Sequence, residues 1–165
     1  MHADRLETSR LVHRFGFGPR VGEFASYLKQ GVPATRDSLL KVPSVDSGLA
    51  SIKLPTFSDL GKRPEPNSTD IIPFVVGMKS QTDNLILWWM DRMALSDNGL
   101  TERMTWFWHG HWATAISKVE YALPMYMQQQ TLRDNCLGSF TEMAQEMMTD
   151  AALQYWLDGG QNTVK

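Results

Sequence analysis

Thr101-Glu-Arg-Met-Thr-Trp106-Phe107-Trp108-His109-Gly110-His111-Trp112-Ala-Thr-Ala115 is the stretch whose reading decides the fold. Met104, Phe107, Trp108 and His111 recur at helical spacing. Thr101 is a favoured N-cap residue, and Glu102 stands in the first turn, where the helix dipole favours a negative charge. The spacing predicts a helix over 101–115. Within it, four aromatic rings and two imidazoles fill the seven positions 106–112. Rings at this density are expected to be buried. That draws His109 and His111 into an interior or a cleft, where an imidazole needs a partner.

The same period recurs on both sides. Leu6, Arg10, Leu11 and Arg14 have helical spacing, and Gly16-Phe17-Gly18-Pro19 then stops the helix and turns the chain. Phe24, Tyr27 and Leu28 form one stripe of a helix over 21–30, closed by Gly31, and Pro33 suits the first turn of a short helix ending near Val42. After the loop described below, Ser80 opens a helix whose apolar face is Leu85, Trp88, Trp89 and Met93, ending at Asn98-Gly99. Further helices are expected over 122–137, 140–148 and 151–157, the last two opened by Ser139 and Asp150. No repeat and no β-hairpin signal is present.

Pro43 to Lys79 differs in character. Five of the eight prolines fall here among Ser, Thr, Gly and Lys, with no sustained period. The stretch reads as a long loop laid over the surface, with Ile71–Val76 as an extended piece whose Pro73 argues against a central strand.

Composition narrows the function classes. The chain has 165 residues, 42% of them hydrophobic, enough for a real core, and a formal charge of −2 that gives no general case for nucleic acid or anionic membrane. Residues 1–42 hold seven Lys/Arg against four Asp/Glu, and residues 80–165 hold five against ten, an asymmetry expected to draw the two ends together. The acidic second half offers no basic recognition helix, so sequence-specific DNA binding is disfavoured. Leu85–Met90, the most apolar run, is cut by Asp91 and Arg92 and falls short of a membrane span. The N-terminus lacks the apolar core of a secretory signal. A soluble chain is expected, either cytoplasmic or exported by a leader absent here. Cys136 is the only cysteine, so no intrachain disulfide can form.

His109-Gly110-His111 is the motif most suggestive of chemistry. Two imidazoles one residue apart clamp a metal when both face one way, as on a strand. On a regular helix they diverge by about 200°. Both could then reach one ion only if Gly110 loosens the helix or the pair lies at its end. Zinc would also need a third ligand, and Glu102, Asp91, His13, Glu120 and Asp158 are all candidates. The bland reading is a pair of hydrogen-bonded core or cleft histidines. Arg103 is spaced to stack on Trp106 or Phe107 while pairing with a carboxylate, and Asp91-Arg92 could complete an ion-pair network that fixes how two helices cross. Gly16-Phe17-Gly18-Pro19 follows a helix and lacks the dinucleotide spacing, so it reads as a helix stop. Glu142, Glu146 and Asp150 read as a solvated acidic stripe.

Two segments resemble a known family. Arg10-Leu-Val-His-Arg-Phe-Gly-Phe-Gly-Pro19 is similar to the opening motif of the bacterial family catalogued as domain of unknown function 1800. Leu100 to Thr114 resembles its central signature, Leu-x-Glu-Arg-Met-x-x-Phe-Trp-His-x-His-Phe-Ala-Thr, with Trp112 in place of the usual Phe. Gln128–Leu132, Leu137–Phe140 and Asp150–Gly159 are similar to the segments that follow, so the resemblance covers nearly the whole chain and is weakest in the Pro-rich loop. Family members continue after the counterpart of Gly159 into an Asn-Glu-Asn-(Tyr/Phe)-Ala-Arg-Glu-Leu run and further helices. The resemblance therefore implies that this chain is the N-terminal part of a larger protein, with the remainder as its partner. It implies no particular activity.

The expected fold is an all-α, orthogonally packed multi-helix domain spanning residues 1–165, with one long Pro-rich surface loop at 43–79. The expected function is part of a metal-dependent or histidine acid–base enzyme, a hydrolase, with an incomplete site. His109 and His111 are its catalytic residues and the ligands of a divalent metal such as zinc, with Glu102 and Arg103 orienting them. The alternative is a non-catalytic scaffold or interaction domain with structural histidines. An apolar face left by absent helices would also favour a homodimer.

Overall fold

The structure, a computed structural model, describes residues 2–159. Among the described residues it holds nine α-helices, one 3-10 helix and no strand. The fold is all-α. No described helix is long and apolar enough to cross a membrane.

The described residues divide into two compact units, one of residues 2–52 with 90–107, the other of 53–89 with 108–159. In the first, α1 (His2–Arg14), α2 (Glu23–Gln30) and α3 (Val32–Leu40) pack against one another. Gly31, at φ 83°, ψ 164°, separates α2 from α3, and Pro33 sits in the opening turn of α3. Thr35 is fully buried at this corner. Its hydroxyl donates to the Tyr27 carbonyl at 2.9 Å and accepts from Gln30 Nε2 at 3.1 Å. Gly18, at φ 104°, makes the turn after α1 in a conformation that a side chain would strain.

A polar knot ties the segment after α3 into this unit. Asp97 accepts from Ser47 Oγ at 2.5 Å, Arg20 Nη1 at 2.9 Å and the Gly48 amide at 2.9 Å. These bonds, Ser47's first and Arg20's next, bring its carboxyl down to about 2. Asp46 accepts in turn from Ser96 Oγ at 2.5 Å and the Asp97 amide at 2.8 Å. Gly48 lies so close to the Leu95 carbonyl that a Cβ there would stand 1.7 Å from its oxygen, so no other residue fits.

α4 (Ile71–Leu95) and α5 (Gly99–Trp112) each contribute to both units. The start of α4 departs from the sequence expectation. Residues 71–79 are helical, so the irregular segment after α3 ends at Asp70, and it contains a short 3-10 helix at Ser47–Ser51. Pro73 is the third residue of α4, where its missing N–H is one the helix leaves unbonded anyway. The Phe74 amide makes the first helical bond, to the Asp70 carbonyl at 3.2 Å.

In the second unit α6 (Ile116–Val119), α7 (Ala122–Asn135), α8 (Phe140–Met147) and α9 (Ala151–Trp156) surround a core of Leu132, Met143, Met147 and Leu153, against which Trp108 and Trp112 pack. Two caps match the sequence reading. Ser139 Oγ accepts from the Glu142 amide, and Asp150 accepts from the Leu153 amide at 2.7 Å. Asp150, however, is buried and does not belong to a solvated stripe with Glu142 and Glu146. A relay reaches it from the interior: Thr114 Oγ1 donates to Gln128 Oε1 at 2.5 Å, and Gln128 Nε2 donates to Asp150 Oδ1 at 2.7 Å. Burial pushes the Asp150 carboxyl up, against the pull of these bonds.

Candidate functional site

α5 carries every site residue expected from the sequence. The helix starts at Gly99, with Asn98 Oδ1 accepting from the Thr101 amide at 3.3 Å, so Asn98 and not Thr101 caps it. It ends at Trp112, short of Ala115. Helical period sorts its residues. Glu102 and Thr105 are buried, and Trp108, His109 and Trp112 are half-buried. Trp106, Phe107, Gly110 and His111 face away and are exposed, Trp106 by 48% and Phe107 by 54%. The burial expected of all four rings fails because one helix face can hold only part of so dense a cluster.

Glu102 and Arg103 lie in the part of α5 that belongs to the first unit. Arg92, not Arg103, holds Glu102: its Nε and Nη2 donate to Oε1 at 2.9 and 2.7 Å. Arg103 instead lies over two rings, 4.9 Å from the Trp106 centroid and 5.3 Å from that of Phe17. Trp106 is the ring its spacing anticipated, and Phe17 takes the place given to Phe107.

His109 and His111 lie in the part that belongs to the second unit, in separate surroundings. His109 meets Trp89 of α4 edge-on, with centroids 5.1 Å apart at 82°. Its Nδ1 is buried and has no hydrogen-bond partner among the described residues. His111 stands edge-on to Trp108 at 5.4 Å, Trp112 at 5.6 Å and Phe140 at 6.1 Å, and Phe140 stacks on both indoles. Gly110 lies inside the helix, and the Ala113 amide still bonds to the His109 carbonyl at 3.0 Å, so the chain does not loosen between the histidines.

Of the other residues considered as a third ligand, Glu120 pairs with Arg63 at 2.5 Å, Asp158 pairs with Lys118 at 2.9 Å, the His13 ring lies against Gly18, and Asp91 is exposed on α4 in the first unit. Among the described residues no three His, Cys, Asp or Glu side chains are grouped to hold a metal ion.

Four further side-chain polar atoms among the described residues share the condition of His109 Nδ1, buried without a hydrogen-bond partner: Thr8 Oγ1 in the first unit, and Trp89 Nε1, Trp112 Nε1 and Gln129 Oε1 in the second. Trp112 follows His109 by one turn of α5. Gln129 lies on the face of α7 that holds Trp88, between Tyr126 (5.1 Å from that ring) and Arg133 (5.3 Å). Each such atom, if left without a partner, costs about 1–3 kcal/mol of stability, which makes the His109–Trp89 contact the one to explain. Sequence reasoning missed Trp89 and Gln129. The available signal was Gln128-Gln129 set within the apolar register of Met125, Leu132 and Cys136, where a helix facing a core would carry apolar residues.

Burial also holds the His109 imidazole below its ordinary value of 6.5. The native state then binds this proton more weakly than the unfolded chain does. The stability associated with neutral His109 is present above the unfolded value of 6.5 and is lost as pH falls from there through the lowered folded value. Urea midpoints are expected to drop as pH falls below about 6.5, and His109→Gln is expected to lack that component.

The fold and site thus define an all-helical protein in which a half-buried histidine with an unpartnered ring nitrogen meets a tryptophan edge-on. The chain belongs to the family described as Protein of unknown function (DUF1800), whose model matches residues 10–165. No curated protein and no solved structure matches it.

Proposed function

We propose that His109 is the proton-transfer residue of a hydrolase site, with Trp89, Trp112 and Gln129 as its hydrogen-bonding surround. The observation that carries this reading is the buried, unpartnered Nδ1 of His109 beside Trp89. A neutral imidazole with an uncommitted ring nitrogen can accept a proton from water or a hydroxyl near neutral pH. Indole N–H groups are donors suited to an oxygen that gains negative charge, and a glutamine carbonyl accepts from a hydroxyl or water. Gly110, exposed and with open space where a Cβ would stand, leaves one side of the helix next to His109 free for approach.

Acid–base chemistry is favoured over a metal held by His109 and His111. On a continuous helix their side chains point about 200° apart, and each is set among different rings. His111 is then a packing residue of the Phe140 cluster. A non-catalytic interaction domain is a second reading, favoured by the exposed Trp106 and Phe107; under it His109 has no turnover to support.

The test assays the protein, His109→Ala and His111→Ala against chromogenic esters, amides and phosphate esters, with and without chelator. The expected result is turnover of one substrate class that falls about 10²–10⁴-fold in His109→Ala. It should persist in His111→Ala and in chelator. Full activity in His109→Ala, or loss in chelator with recovery on zinc, overturns the reading.

A further inference from the structure

A second cavity, within the first unit and independent of His109, has the chemistry of a ligand site. It measures about 320 Å³ and lies between α1 and the first turns of α3.

 Every residue lining it belongs to the first unit.

Its rim is charged and its floor is apolar. Arg10 and Arg14 come from α1 and Arg36 from α3, with Glu7 as the single carboxylate among the lining residues. Leu11, Phe15, Val32 and Pro33 supply the apolar surface. Arg36 is already engaged by Asp37 at 2.7 Å, but Arg10 and Arg14 have no ion-pair partner among the described residues. They are four residues apart on one helix face, a like-charge spacing that costs the helix stability unless an anion lies between them.

We infer that this cavity binds an amphiphilic oxyanion, a carboxylate or phosphate monoester carrying an alkyl or acyl tail. The guanidinium forks of Arg10 and Arg14 match the paired oxygens of either head group. The tail lies along Leu11, Phe15, Val32 and Pro33, in a cavity of ordinary ligand-site size. Arg36 adds a third positive charge at the mouth, and Glu7 disfavours a second anion.

Calorimetric titration of the full chain with octanoate, octyl phosphate, octanol and inorganic phosphate tests the inference. One equivalent of octanoate or octyl phosphate is expected to bind, and the tighter of the two identifies the head group. Octanol and inorganic phosphate are each expected to bind at least about tenfold more weakly. Arg10→Gln/Arg14→Gln is expected to weaken binding by about tenfold to a hundredfold with an unchanged helical circular dichroism spectrum. Should that double variant fail to fold, Arg14→Lys, which keeps the charge and loses the fork, is expected to show a smaller loss in the same direction. No binding of either amphiphile, octanol binding as tightly as octanoate, undiminished binding in the variants, or binding to anionic vesicles alone would each overturn it.

Discussion

Replacing Arg92 by alanine is expected to lower the unfolding free energy by about 3–5 kcal/mol, the usual effect of leaving one member of a buried ion pair without the other. Glu102 is only 1% exposed, and Arg92 donates to its Oε1 through both Nε and Nη2. Loss of the guanidinium strands a charge that water cannot reach. The double variant Arg92→Met/Glu102→Leu is expected to recover most of the loss, because removing both charges also removes their desolvation penalty. Urea unfolding of the three proteins, read as midpoints at a common slope, checks both statements. A single variant as stable as the wild type would mean that the pair contributes nothing to this unit.

Leu132→Ala is expected to cost about 2–5 kcal/mol in the second unit. Leu132 has no exposed surface and joins Met143, Met147 and Leu153 in the core that Trp108 and Trp112 pack against. Truncation opens a cavity between α7 and α8, and α7 is tied to the start of α9 through Gln128 and Asp150. The surroundings therefore have little freedom to collapse. Leu132→Met, close in volume, is expected to cost less than about 1.5 kcal/mol. Thermal and urea unfolding followed by tryptophan fluorescence would register both.

What the sequence makes legible here is local. Gly31, Pro33, Ser139 and Asp150 act on the backbone within four residues of themselves, so their positions alone announce where helices stop and start. Ile71–Lys79 misleads for the same reason. A proline reads as a breaker, and only the helix register shows that Pro73 falls in the first turn, where it is tolerated. The partner of Glu102 comes from another helix, ten positions back in sequence, so a neighbour such as Arg103 looks equally eligible until α4 and α5 are built.

The site is less legible than the fold. Counting rings and imidazoles singles out 106–112, but the helical period then splits the motif, sending Trp106, Phe107 and His111 to the exposed side and leaving His109 against Trp89. The family resemblance is plain from the same residues, and membership follows from the match over 10–165. The unpartnered Nε1 of Trp89 has no sequence signature, because an indole in an apolar register looks the same whether or not it finds a partner; for Gln129 the one signal is a polar pair in the apolar register of α7.

The most direct test of the role given to His109 is the pH titration of its imidazole by NMR in ring-¹⁵N-histidine-labelled protein, with His109→Gln to assign the signal. The expected result is a neutral ring at pH 7 that protonates only below the ordinary 6.5, with no change on addition of chelator. An imidazolium at pH 7, or a ring nitrogen whose signal shifts when metal is withdrawn, would contradict it.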